Sequence, residues 1–148
     1  MADSAAPPID TRFAAALASD DSKSESEACR IIEGFPSLVN ADSWLIHRGR
    51  YLTTACVIQV GRIPYHVTIA AGRIAAMERG PKLMTTWSFA IRATGRACMK
   101  HWERAPEAKW HDLFALTRYG EAVVEGYLLP LMQNLQVVKD MLAKPRNR

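Results

Sequence analysis

The chain has 148 residues, 49% of them hydrophobic and 23% charged, with a formal net charge of +4. At this length one domain buries about two thirds of its unfolded surface, so a core forms without staples. Cys29, Cys56 and Cys98 are odd in number and far apart, with no C-x-x-C pair, which argues against a disulfide framework or a zinc site and fits a reducing, cytoplasmic setting.

Residues 1–26 are rich in Ala, Ser, Asp and Pro and are expected to form a flexible extension. The apolar run from Phe13 to Ala18 is too short for a secretory leader and is followed by Asp20 and Asp21. No stretch reaches the ~20 apolar residues of a membrane span. From Glu25, the residues Ala28, Cys29, Ile31, Ile32 and Phe35 have helical spacing, stopped by Gly34 and Pro36. A loop over residues 38–50 then leads to strands expected at 51–60, 63–70 and 74–78, punctuated by Gly49, Gly61 and Gly72. Their short links imply an antiparallel meander, and Pro64 places the start of the second strand at an edge or a bulge.

After a loop over 79–86, the strongest strand is expected at 88–100. Its alternation puts Phe89, Ile91, Ala93, Gly95, Ala97 and Met99 on one face, and Ala90, Arg92, Thr94, Arg96, Cys98 and Lys100 on the other. Pro106 suits the first turn of a helix running to about residue 119, with Gly120 as its stop. Residues 121–127 read as a short strand. A closing helix over 128–142 carries Leu128, Leu131, Met132, Leu135, Val138 and Leu142 on one apolar stripe. The domain is expected at 27–143, with 144–148 as a solvated basic tail.

Over residues 49–142 the chain resembles the sterol carrier protein 2 family. The resemblance is carried by the paired strands around Gly61 and Gly72, the 88–100 strand, and Leu116-Thr-Arg-Tyr-Gly120 leading to Val124-Glu-Gly126 and the long helix beyond. It implies an α+β fold, a small and mostly antiparallel sheet covered by helices, with an apolar cavity under the C-terminal helix. It also implies non-catalytic carriage of fatty acyl chains, acyl thioesters or sterols, without a cofactor.

Independently of that resemblance, the small side chains of Ala93, Gly95 and Ala97 between Phe89 and Met99 leave a hollow unless a helix presses close. The expected walls of the hollow are Phe89, Ile91, Met99, Leu116, Met132 and Leu135, with Tyr65 and Tyr127 as amphipathic groups suited to its mouth. Burying ten methylenes there would release on the order of 8 kcal/mol before association costs, at ~0.8 kcal/mol each.

Catalytic signatures are thin. The chain has no G-x-S-x-G elbow, phosphate loop or dinucleotide fingerprint. His101-Trp-Glu103 with His111-Asp112 reproduces no metal-ligand spacing, and its plain reading is an exposed link. The alternative to carriage is a small α+β enzyme or enzyme subunit using His66, His111 or Asp112 for proton transfer on a similar apolar substrate. An adaptor whose groove holds a protein partner is a third reading. Arg92, Arg96 and Lys100 form either a solvated strand face or a site for an anionic headgroup or the phosphates of an acyl-coenzyme A. No stacking pattern accompanies them, so nucleic acid is not expected. A homodimer through a paired sheet edge stays open.

Overall fold

The computed structural model describes residues 9–148. Its sheet starts as the expected meander: β1 (Thr54–Val60), β2 (Ile63–Ala70) and β3 (Arg73–Arg79) pair antiparallel in sequence order. β2 spans the expected residues end to end. Its alternation buries Tyr65, Val67 and Ile69 and leaves Thr68 and Ala70 exposed. The β2–β3 turn has left-handed backbone at Ala71 (φ 49°) and Gly72 (φ 81°), the geometry that matches strand twist in two-residue hairpins. A side chain on Gly72 would also stand 2.7 Å from the Ile46 carbonyl, so glycine is required there twice over.

β4 (Phe89–Ala93) lies beside β1 in parallel, and β5 (Ala122–Gly126) pairs antiparallel with β4. The resulting order is β3-β2-β1-β4-β5, a mixed sheet in which three pairings are antiparallel and one is parallel. The described helices are α1 (Ile9–Ala18), α2 (Ser22–Ile32), α3 (Phe35–Asn40), α4 (Ser43–Arg48), α5 (Gly95–His101), α6 (Leu113–Arg118), α7 (Leu129–Gln133) and α8 (Leu135–Ala143). The core between the layers includes Ile58, Val67, Phe89 and Ile91 from strands, and Ile32, Phe35, Trp102 and Met141 from helical segments. Each fully buried aliphatic or aromatic side chain of this kind contributes about 1.5–3 kcal/mol.

Several expectations change. The strand at 88–100 ends at Ala93, where Thr94 takes extended backbone and its hydroxyl accepts the Ala97 N–H as the cap of α5. Gly95 and Ala97 therefore sit on a helix, and α2 is what presses on them: a side chain on Gly95 would stand 2.6 Å from the backbone of Glu25. The loop expected at 38–50 holds the end of α3 and all of α4, the latter capped by Asp42 through the Leu45 N–H. The helix expected from Pro106 is confined to α6, capped by Asp112. The closing helix is two, broken at Asn134 (φ −128°, ψ 33°).

Both ends are docked as well. Residues 1–8 of the expected extension lie outside the described residues, but the segment from Ile9 to Ser26 is almost wholly helical. Phe13 is buried, and the Asp20 carboxylate accepts the N–H groups of Gly95 and Arg96 at 2.6 and 3.1 Å. The tail forms a 3-10 turn (Lys144–Asn147) with Pro145 buried and Lys144 paired to Asp42 at 2.9 Å.

Candidate amphipathic channel under the last helix

α5, α6 and α8 meet the sheet along the β1–β4 seam and leave a row of small voids. The middle one, about 40 Å³, is lined by Ile58, Ile91, Ala93, Cys98, Trp102 and Leu116, with Leu142 of α8 as its lid. A narrower one of about 10 Å³ continues inward between Phe35, Phe89, Val138 and Met141, and shares Ile58, Ile91 and Leu142 with the first. The middle void shares His101, Leu113 and Leu142 with a polar cleft of about 140 Å³. That cleft is walled by His111, Asp112, Gln136, Lys139, Asp140 and Arg146. An apolar void and a charged cleft thus share three wall residues. Pockets that enclose small molecules are about 300–1,000 Å³, far more than either apolar void holds as it stands.

His101 divides the apolar part from the polar part. It is buried, and its Nδ1 lies 2.8 Å from the Trp110 carbonyl. A carbonyl only accepts, so Nδ1 carries the proton and Nε2 is the lone-pair nitrogen. Burial pushes the imidazole pKa down, the bond to Trp110 works against this, and the nearby Arg146 guanidinium adds to the lowering. Trp102 donates its indole N–H to the Leu142 carbonyl at 2.8 Å and pins the end of α8. The Asp112 carboxylate is raised by burial but more than compensated by Lys139, 2.9 Å away, and ends below its ordinary value. Cys98, against the middle void, has a thiol pushed strongly up by burial, and burial alone pushes Cys56 up to about 12.

The residues singled out in the sequence are distributed unevenly around this line. Ile91 and Leu116 border the middle void and Phe89 the inner one. Met99 and Leu135 are half-buried against the core without bordering either void. Met132 is 47% and Tyr127 60% exposed. Tyr65 is buried within the layer, its hydroxyl 3.5 Å from the Cys29 carbonyl. Sequence reasoning misses His101, Trp102, Leu113 and Arg146 as wall residues. The exposed link expected around His101 and Trp102 is instead the buried end of the helix that follows Thr94.

The basic stripe is not a stripe. Arg92 points to the outer face, where it pairs with Glu125 at 2.7 Å, donates to Gln59 and lies over the Trp87 ring. Arg96 turns to the protein's edge. It pairs with Glu121 at 2.9 Å and donates to the carbonyls of Ser19 and Ala16, a clamp that holds the N-terminal helices. Lys100 is exposed beside Glu103. The three cations share no concave site. His66, on the outward side of β2, does not converge with His111 and Asp112, which border the cleft below the helical face.

This arrangement of sheet and helices is the fold of sterol carrier protein 2. A crystal structure of sterol carrier protein 2 superimposes with a TM-score of 0.61 at 14% identity, over 79% of this chain and 94% of that one. The solution structure of a conserved hypothetical protein from Thermus thermophilus, described as possibly a sterol carrier protein, gives 0.56 at 10% identity over 80% and 85%. A ubiquinone synthesis protein, UbiJ-SCP2, gives 0.47 at 20% identity over 78% and 88%. At these identities the likeness is one of fold. No family model matches the chain, and no curated protein matches it by sequence. Among the described residues, no helix is long and apolar enough to cross a membrane.

Proposed function

We propose that the protein binds and carries an apolar small molecule, with the guest's body seated along the β1–β4 seam under α8. The single observation behind this reading is the row of apolar voids that share Ile58, Ile91 and Leu142. A solid core would have no reason to align its packing defects beneath one helix that is broken from the preceding element. The mechanism is passive. Burial of a fatty acyl or sterol-like body drives entry, and α8 lifts about Asn134 to make room. The fold supports the reading because a sterol carrier protein has the same architecture. A reducing, cytoplasmic setting suits a chain whose three cysteines are all buried and free.

Native mass spectrometry of the purified protein, with solvent extraction of any guest, tests this first. Titration with a fluorescent fatty acid and a fluorescent sterol follows. The variant Ala93→Leu fills the middle void and is expected to weaken binding at least tenfold (~1.4 kcal/mol) while the circular dichroism spectrum is kept. A folded wild-type protein that carries nothing and takes up neither probe would overturn carriage.

A further inference from the structure

The polar cleft beside the apolar voids contains an imbalance that the fold does not need. Its two carboxylates are already engaged. Asp112 is ion-paired to Lys139 at 2.9 Å, and Asp140 to Arg48 at 2.5 Å, with Gln136 also donating to Asp140. Arg146 is the cation left over. Its Nε donates to the His101 carbonyl and its Nη2 to the His111 carbonyl, both at 2.7 Å. Those bonds fix the plane of the guanidinium but put no negative charge against it. Among the described residues Arg146 has no carboxylate in ion-pair contact and its Nη1 has no acceptor. Burial lowers its pKa, with Asp112 opposing from a distance, the mark of a charge held where solvation is incomplete. The nearby imidazole of His101 gives no compensation, since burial keeps it neutral.

We propose that Arg146 receives the carboxylate of an amphipathic ligand whose apolar chain lies along the β1–β4 seam, so that the guest is a fatty-acid-like anion. This rests on the carriage reading above. The geometry supports it in three ways. The cleft and the middle void share His101, Leu113 and Leu142 as walls, so a shift of these side chains would let one extended molecule span both. Its volume of about 140 Å³, at ~30 Å³ per water, corresponds to a few small polar groups and is filled by a carboxylate with its waters. A guanidinium presents a planar donor edge that matches two carboxylate oxygens, which a sterol hydroxyl cannot use in the same way. Lys139 adds positive potential, and Asp112 and Asp140 limit it, so the cleft favours one negative charge over a doubly charged phosphate.

The test compares palmitate with hexadecanol, two guests with the same chain and different ends, each displacing a fluorescent fatty alcohol below its aggregation concentration. The wild-type protein is expected to prefer palmitate by about tenfold or more, the scale of one charge-assisted bond. Arg146→Gln is expected to bring the ratio of the two affinities to about one, and Arg146→Lys to restore part of it. A measurement on the unaltered protein keeps the question open to failure if the variants do not fold: the ¹³C resonance of bound carboxyl-labelled palmitate should titrate below its value in neutral micelles. Equal affinity for the two guests, or an undisplaced carboxyl titration, would overturn the headgroup site and leave carriage standing. Refusal of both guests by folded protein would overturn carriage itself.

Discussion

His101 ties the chemistry of one buried side chain to the stability of the tail. Its imidazole is neutral in the fold, with Nδ1 donating to Trp110 and Arg146 held 3.3 Å from the same nitrogen. Protonation would place a second cation beside the guanidinium, with His111 adding to the repulsion and Asp112 opposing it. The folded pKa lies below the unfolded value, so the unfolded chain binds more protons in the interval between them. Stability is therefore full above about pH 6.5 and falls as pH drops from there towards the folded pKa, by at most ~1.4 kcal/mol per pH unit. Urea midpoints of the wild type and of His101→Asn, measured between pH 7.5 and 5.5, separate this residue from the other histidines. The variant keeps an amide donor for the Trp110 carbonyl but cannot titrate. The wild type is expected to lose more stability than the variant across that range, and parallel curves would sink the assignment. Arg146 is the partner that makes the effect local, because its two backbone bonds hold it against the ring.

At the scale of elements, the contact between α2 and α5 sets how the N-terminal helices close over the sheet. Glycine is usually the weaker helix former, and replacing it by alanine in a helix gains about 1 kcal/mol. At Gly95 that gain is outweighed, because the new methyl would stand 2.6 Å from the Glu25 nitrogen and Cα. Backbone atoms cannot turn aside as a flexible side chain does, so overpacking of about 1–3 kcal/mol applies. Gly34 is the contrast, with ordinary φ of −87° and only the Ile31 carbonyl at 3.5 Å. Thermal denaturation should show Gly95→Ala destabilised and Gly34→Ala unchanged or slightly stabilised; the reverse order would mean α2 does not press on α5. The same contact explains what the sequence hid. β2 was legible because period-two alternation and bounding glycines agree. Residues 93–97 were not, because Ala, Gly and Ala satisfy strand alternation and helix packing equally. The deciding features were the Thr94 cap and an Asp20 carboxylate 75 residues away in sequence. Asn134 was similarly masked, since an unbroken apolar stripe gives no sign that the backbone leaves helical geometry in its middle. The apolar half of the candidate channel was partly readable from Phe89, Ile91 and Leu116. Its polar part was legible only in His111 and Asp112, because Lys139 and Arg146 come from distant segments that only tertiary packing brings to them.

At the scale of the molecule, carriage requires that one part opens while the rest holds. α8 buries Val137, Val138, Met141 and Leu142, which is too much apolar surface for a freely mobile lid. Its attachments at the edges are weaker. Arg48–Asp140 and Lys144–Asp42 are partly exposed ion pairs, each contributing about 0–1 kcal/mol. The sheet, by contrast, is knit by backbone ladders across its strands and by the Arg96 clamp at its edge, neither of which involves α8. The physical expectation is a local opening of α8 and the terminal turn at a free energy below that of global unfolding. The double variant Arg48→Gln/Lys144→Gln removes latches that touch none of the apolar voids. If the two pairs together hold about 1.4 kcal/mol, amide exchange in residues 135–147 should quicken about tenfold, with β1 and β2 amides unchanged. Association of a fluorescent acyl probe should quicken in step, since the open form is what admits it. Exchange that rises equally in the helix and the sheet would mean that α8 opens only when the whole domain unfolds. A guest would then have to enter by another route, and the break at Asn134 would be a packing feature without a part in binding.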